Sequence, residues 1–257
     1  MRFSANLGFL WQELALPDAI RAAKSAGFDA VECHWPYDAD AQEVLAALVE
    51  TGLPMLGLNT RRGDVSGGEN GLCALPGRED EARDSIDEAV RYAKIVGAGA
   101  VHVMAGRAQG AEARETLIRN LKYAVAQVDQ TDISLVIEPL NPNDAPGYFY
   151  HTISDALGII DTVQSPKVKL MFDCYHVGRT EGDVIRKLRA HQPSIGHIQF
   201  ASVPDRGTPD QGELRYSAIF QAISEMGWEQ PLGAEYKPSG PTSESLGWMQ
   251  KYPAGSQ

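Results

Sequence analysis

Apolar residues recur along this chain in two alternating rhythms. Short, nearly continuous apolar runs, such as Ser134-Leu-Val-Ile-Glu-Pro139 and Val168-Lys-Leu-Met-Phe-Asp173, alternate with longer stretches in which apolar residues return at every third or fourth position, as Ala82, Ile86, Ala89, Ala93 and Val96 do. The first rhythm belongs to buried strands and the second to helices with one buried face.

Reading the chain in order, a strand is expected at Phe3 to Asn6, then a helix opening at Pro17 and closing before Gly27. Phe28 to Cys33 is the second strand. Asp40-x-x-Glu43 reads as a capping box for a helix that buries Val44, Ala47 and Leu48 and stops at Gly52. Pro54 to Asn59 is the third strand. Residues 60–78, rich in glycine and arginine, form a long connection without periodicity, a lid candidate. Beyond the helix ending at Gly97, Ala100 to Met104 is the fourth strand, and Leu117, Leu121, Ala124 and Val128 mark another helix. The fifth strand runs into Glu138, and the sixth ends at Asp173. Thr152-x-x-Asp155 and Thr180-x-x-Asp183 cap the helices that follow them. The seventh strand ends near Gln199, a helix covers Tyr216 to Met226, and the eighth strand ends on Glu235. A short helix at Glu244 to Met249 precedes a tail expected to fray.

Eight β-then-α units imply parallel strands with crossover helices. In 257 residues with nothing resembling a linker, this matches a single-domain (β/α)8 TIM barrel spanning 1–257 better than an open sheet. Nucleotide-binding glycine fingerprints are missing: Gly97-Ala-Gly99 precedes a strand where a dinucleotide loop would follow one.

A barrel of this kind carries its active site at the C-terminal ends of its strands, and the residues there are Asn6, Glu32, Asn59, Glu138, Asp173, Gln199 and Glu235. A single acid in such a place is commonly the N-cap of the next helix. Four oxygen-bearing side chains on successive strands, Glu138, Asp173, Gln199 and Glu235, suit a divalent cation better, because unpaired buried carboxylates are costly. Oxygen and amide ligands favour Mg²⁺ or Mn²⁺ over Zn²⁺, with Co²⁺ also compatible.

Composition narrows the partners. A net charge of −11 disfavours a nucleic-acid-binding surface but permits local arginines to hold a small anion. The three cysteines, Cys33, Cys73 and Cys174, form no CxxC pair and indicate neither a disulfide framework nor a structural zinc site, consistent with a reducing cytoplasm. No apolar run approaches membrane-spanning length, and polar Ser4, Asn6, Gln12 and Glu13 interrupt any leader-like segment, so no membrane partner is expected. Homo-oligomerisation is left open.

Short matches spread over nearly the whole chain resemble hydroxypyruvate isomerase, within the xylose-isomerase-like barrels that include ketose 3-epimerases. They are Arg2-Phe-Ser-Ala-Asn6, Ala26-Gly-Phe28 with Val31-Glu32, Pro36-Tyr-Asp38, Pro76-Gly-Arg-Glu79, Ile137-Glu-Pro139 with Asn141 and Pro146-Gly147, Asp173-x-Tyr-His176, Gly196-His-Ile-Gln199, Gly212-Glu213, Glu235-Tyr-Lys-Pro238 and Trp248-Met249. The resemblance implies that Glu138, Asp173, Gln199 and Glu235 bind the metal, that Glu138 and Glu235 are also the acid/base pair, and that His176 touches substrate. The epimerases tend to carry histidine where Gln199 stands. The chain departs from the isomerase pattern at Leu58-Asn59, followed by Thr60-Arg-Arg62, and at Asn141-Pro-Asn143, both in loops that would meet substrate.

The expected reaction interconverts hydroxypyruvate and tartronate semialdehyde, or isomerises a close oxo-acid such as 2-oxo-tetronate, through an enediolate that the metal stabilises. Arg206 and Lys237 are the candidates for the substrate carboxylate, with Arg61 and Arg62 behind them, and Asn59 and Asp144 are further substrate-binding candidates. His197, two residues before Gln199, should share its face. His102, His151 and His191 are read as structural, and Cys174 as packing. Trp11, Trp35 and Trp248 would wall the pocket or fill core. A ketose 3-epimerase acting on free sugars is the alternative. A zinc phosphodiesterase of the apurinic-endonuclease kind would need a histidine-rich cluster and a basic groove, and a catalytically silent barrel would need the acids to be inert.

Overall fold

The computed structural model describes residues 1–252; residues 253–257, where the frayed tail was expected, lie outside the described residues. Eight parallel strands, β1 (Phe3–Asn6), β2 (Ala30–Glu32), β3 (Gly57–Asn59), β4 (Ala100–His102), β5 (Ser134–Ile137), β6 (Val168–Asp173), β7 (Ile195–Phe200) and β8 (Leu232–Ala234), follow one another around a single sheet. β1 pairs with both β2 and β8. The ring closes between β2 and the entry to β3, where Val31 and Cys33 donate to Pro54 and Gly57 carbonyls and Leu56 donates back to Val31. This is the expected single-domain TIM barrel, with parallel neighbours throughout because each crossover returns the chain to the same end.

The helices are α1 (Leu16–Ser25), α2 (Ala41–Thr51), α3 (Glu79–Val96), α4 (Gly110–Val128), α5 (Ile153–Val163), α6 (Cys174–Thr180), α7 (Val184–His191), α8 (Tyr216–Glu225) and α9 (Trp248–Lys251). Most bury the periodic apolar stripe anticipated for them: Ala82, Ile86, Ala89, Ala93 and Val96 on α3, and Leu117, Leu121, Ala124 and Val128 on α4, are all buried. Gly52 and Gly97 end α2 and α3 at positive φ, which costs glycine nothing. Asp40 caps α2 by accepting from the Gln42 and Glu43 amides, and Thr152 and Asp155 form a complete capping box on α5.

Several local expectations change. Thr180 is not the cap of a helix but the last residue of α6, which starts directly at the end of β6, and Asp183 precedes α7 without a capping bond and pairs with Arg186 instead. Asp173 itself caps α6, accepting from the Tyr175 amide at 2.8 Å, so the Asp173-x-Tyr-His176 element is a strand end wound into a helical turn. The helix expected at Glu244 to Met249 is a 3₁₀ turn at Thr242–Ser245 followed by α9.

The lid candidate is only partly free. Residues 63–69 are half-buried or exposed, but Leu72, Cys73 and Ala74 are buried, and the Cys73 and Ala74 amides bind the Met104 and Ala105 carbonyls. Its second half is therefore tied to the chain just past β4. Trp248 fills core rather than pocket, meeting Phe3 and Phe200 edge-on at 5.0 and 5.4 Å. No helix among the described residues is long and apolar enough to cross a membrane.

Candidate active site

The side chains expected to converge are brought to one end of the barrel. Glu138 lies one residue past β5, Asp173 ends β6, Gln199 is the penultimate residue of β7, and Glu235 follows β8 directly; all four are at least 95 % buried. The register aligns Asp173 beside Gln199 and Gln199 beside Gly233, two positions before Glu235.

Charge is unevenly compensated among these acids. Arg206, on the loop after β7, bonds to Glu235 and lies 3.5 Å from Asp173, its guanidinium held between the rings of Phe9 and Tyr175, each 4.9 Å away. Glu235 also meets His34 Nε2 at 2.8 Å and accepts from Asn6 Nδ2 at 3.0 Å. Burial works to raise the Glu235 pKa, but Arg206 and His34 outweigh it and hold the group well below the usual carboxylate range. Glu138 has no such cation: burial, reinforced by Glu235 and Asp173, pushes it well above its ordinary value, and its Oε1 is buried with no hydrogen-bond partner. Burial likewise pushes Asp173 up to about 7 against the pull of Arg206.

These features fit a divalent cation. The surplus negative charge, the partnerless Glu138 Oε1 and the buried, partnerless Gln199 Oε1 are what an added positive charge would satisfy. Among the described histidine, cysteine and carboxylate side chains, Glu138, Asp173 and His176 are the group whose ligand atoms lie within 4.8 Å of one another. The histidine is the least suited of the three. Its Nδ1 accepts from the Asn141 backbone amide at 3.0 Å, which places the proton of the neutral ring on Nε2, so His176 offers a donor to Asp173 and Glu138 (3.6 and 3.8 Å) rather than a lone pair. Burial keeps that ring neutral, with a pKa of about 3.

The proposed substrate contacts divide into two groups. Arg206 and His176 face the acids. Asp144 is exposed and acts one step back, accepting from Tyr175 Oη at 2.7 Å and from Asn141, which in turn bonds His176. Lys237 is exposed at the rim with its ammonium 5.7 Å from the Phe9 ring, and its backbone amide bonds the Arg206 carbonyl. Asn59 shares an interior cavity with Asn6, Glu32, His34, His102 and Gln199. Arg61 turns away to Glu88 on α3, while Arg62 lies over Trp35 at the mouth.

His34 was not anticipated at all; its only trace in the sequence is that it stands two residues after Glu32, beyond the end of a strand. His102, read as structural, lies in the site, 3.8 Å from Glu138, with a buried Nε2 lacking a partner and a pKa lowered to about 4 by burial. His197 and Gln199 do share a face, and both bind Glu32. His151 bonds the Leu140 carbonyl, and Cys33, Cys73 and Cys174 are free, buried thiols.

The chain matches a family model described as xylose isomerase-like TIM barrel over residues 20–252. It is 41% identical over 255 residues to a 2-oxo-tetronate isomerase of Cupriavidus necator, with 98% of each chain covered, and 36% identical over 256 residues to the hydroxypyruvate isomerase of Escherichia coli, covering 98% of this chain and 99% of that one. A crystal structure from Brucella melitensis described as an AP endonuclease, family 2, superposes with a TM-score of 0.93 at 36% identity, with 98% of each chain covered.

Proposed function

Since the chain belongs to the xylose isomerase-like TIM barrels, and within them to the group of hydroxypyruvate and 2-oxo-tetronate isomerases, we propose that it is a metal-dependent isomerase of a short 2-oxo acid. The substrate would be hydroxypyruvate or 2-oxo-tetronate. The observation that carries the reading is the buried set of Glu138, Asp173, Gln199 and Glu235, where two oxygens lack partners beside an arginine clasped by two aromatic rings.

Glu138, Asp173, Gln199 and Glu235 would hold a Mg²⁺ or Mn²⁺ ion, which when bound acidifies the C–H bond next to the substrate carbonyl and offsets enediolate charge. Arg206 would take the substrate carboxylate, as the one cation buried among these groups, and Lys237 would strengthen the field at the rim. Glu138 would abstract the carbon-bound proton, since its environment raises its proton affinity. The abstracted proton would then be shared with Glu235, which His34, Asn6 and Arg206 hold in place and which would pass it on to the adjacent carbon, so that one proton moves from carbon to carbon. The hydroxyl proton crosses between the two substrate oxygens, with the His176 Nε2–H donating to whichever carries more charge. Asn59 and Asp144 would act at the margin of the pocket, Asp144 through Tyr175 and Asn141.

Proton NMR in D₂O tests this directly. With Mn²⁺ at trace level or with Mg²⁺, hydroxypyruvate should gain deuterium and yield its aldehyde isomer, or 2-oxo-tetronate should gain deuterium and yield its 3-oxo isomer, and EDTA should abolish both. Exchange on neither acid, with turnover of neutral ketohexoses, would transfer the assignment to ketose 3-epimerisation. A phosphodiesterase reading finds little support, because among the described residues the metal-capable group is two carboxylates and one histidine rather than a histidine cluster.

A further inference from the structure

Glu32 carries no role in the proton transfer described above, yet three side chains of the barrel interior bond to it. Its Oε1 accepts from Asn6 Nδ2 at 3.0 Å and from Gln199 Nε2 at 2.7 Å, and its Oε2 meets His197 Nε2 at 2.8 Å. The bonds have a fixed polarity. The Gly8 backbone N–H can only donate, and it binds Asn6 Oδ1 at 2.9 Å, so the Asn6 amide must turn its NH₂ toward Glu32 and Glu235. A carboxylate oxygen can only accept, so Gln199 must also turn its NH₂ toward Glu32. Its carbonyl oxygen is thereby aimed away, and that oxygen is the buried atom left without a partner.

We infer that Glu32 is a positioning residue that fixes the amide of Gln199 so that its oxygen, not its nitrogen, is offered to the cation. An amide is a ligand in only one of its two orientations, whereas a carboxylate serves in either; a glutamine in the set therefore needs an orienting acceptor behind it. Space for the contact exists because residue 233 is glycine: a Cβ there would sit 2.6 Å from Glu32 Oε1 and 2.8 Å from Gln199 Cγ. The inference rests on Gln199 being a ligand, as proposed above.

The test is the Mn²⁺ dissociation constant, read by electron paramagnetic resonance and calorimetry on the full chain, with thermal melts alongside. Glu32→Met removes the acceptor at similar length and should weaken Mn²⁺ binding by about 10–100-fold, the range typical of groups that orient metal ligands. Glu32→Gln removes the same charge but keeps a carbonyl oxygen where Oε1 lies, turning its own NH₂ to His197, and should bind within about threefold of the unsubstituted protein if orientation is what matters. Equal Mn²⁺ affinity in Glu32→Met would overturn the inference. So would a loss of about 10-fold or more in a folded Glu32→Gln, which would assign the effect to charge, and this arm stands even if Glu32→Met does not fold. Absence of Mn²⁺ binding in the unsubstituted protein would bring down the metal reading itself, and the inference with it.

Discussion

The two halves of the barrel mouth do different work. The strands β5 to β8 contribute Glu138, Asp173, Gln199 and Glu235, oxygen groups crowded into a space with one guanidinium. The strands β1 to β4 and their loops contribute Asn6, Glu32, His34 and His102, each of which meets one of those groups: Asn6 and His34 meet Glu235, Glu32 meets Gln199, and His102 approaches Glu138. One half presents the clustered oxygens and the other bonds to them. A closed barrel makes this division natural, since every strand end faces the axis and the far side is within hydrogen-bonding reach.

The largest effect should come from the reactive half. Glu138→Gln is expected to lower deuterium incorporation and turnover by at least about 10³-fold, with the melting temperature unchanged or raised, because a costly buried acid is replaced by a neutral isostere. Incorporation surviving that change would erase the distinction between the halves. On the holding side, His34→Ala should cost about 10–100-fold in turnover, expressed mainly in kcat, by leaving Glu235 with two of its three partners.

Metal affinity should depend on pH with a definite sign. Asp173 is pushed up to about 7 and Glu138 well above its ordinary value, so below neutrality the metal-free site holds protons that an ion must displace. Mn²⁺ binding should therefore weaken as pH falls below about 7 and release protons to the buffer, measurable by calorimetry in buffers of different ionisation enthalpy. A flat profile between pH 5 and 8 would show that the acids are ionised without the ion. Gly233→Ala, which forces a methyl group against the Glu32–Gln199 bond, should destabilise by about 1–3 kcal/mol in chemical denaturation and weaken Mn²⁺ binding in parallel. The smallest effect should be Arg61→Ala. Its half-exposed pair with Glu88 points away from the mouth, so about 0–1 kcal/mol of stability and no change in KM are expected.

Reading strands from apolar runs worked because both faces of a barrel strand are buried, which leaves an unambiguous signal in Ser134 to Ile137 and Val168 to Phe172. A strand ending on an acid was legible for the same reason, a charge interrupting an apolar run, and so Glu138, Asp173 and Glu235 could be named from the chain alone. The Thr180-x-x-Asp183 signal misled because Thr180 was already committed to α6, a helix too short for periodicity to reveal. Arg61 and Arg206 looked alike as loop arginines after strands. Only the path of each loop decided that one lies on an outer helix and the other is inserted between Phe9 and Tyr175.

By itself, then, the sequence determined the eightfold alternation, the sheet's parallel sense and the acids that end its strands, because these follow from periodicities of two and 3.6 and from single residues that break them. Tertiary structure alone decided which distant groups meet. The contacts of His34 with Glu235, Glu32 with Gln199 and Asn141 with His176 span 201, 167 and 35 residues. No local rule encodes them, since each depends on where closure of the barrel carries two strand ends, and on which polar atoms burial then obliges to find each other.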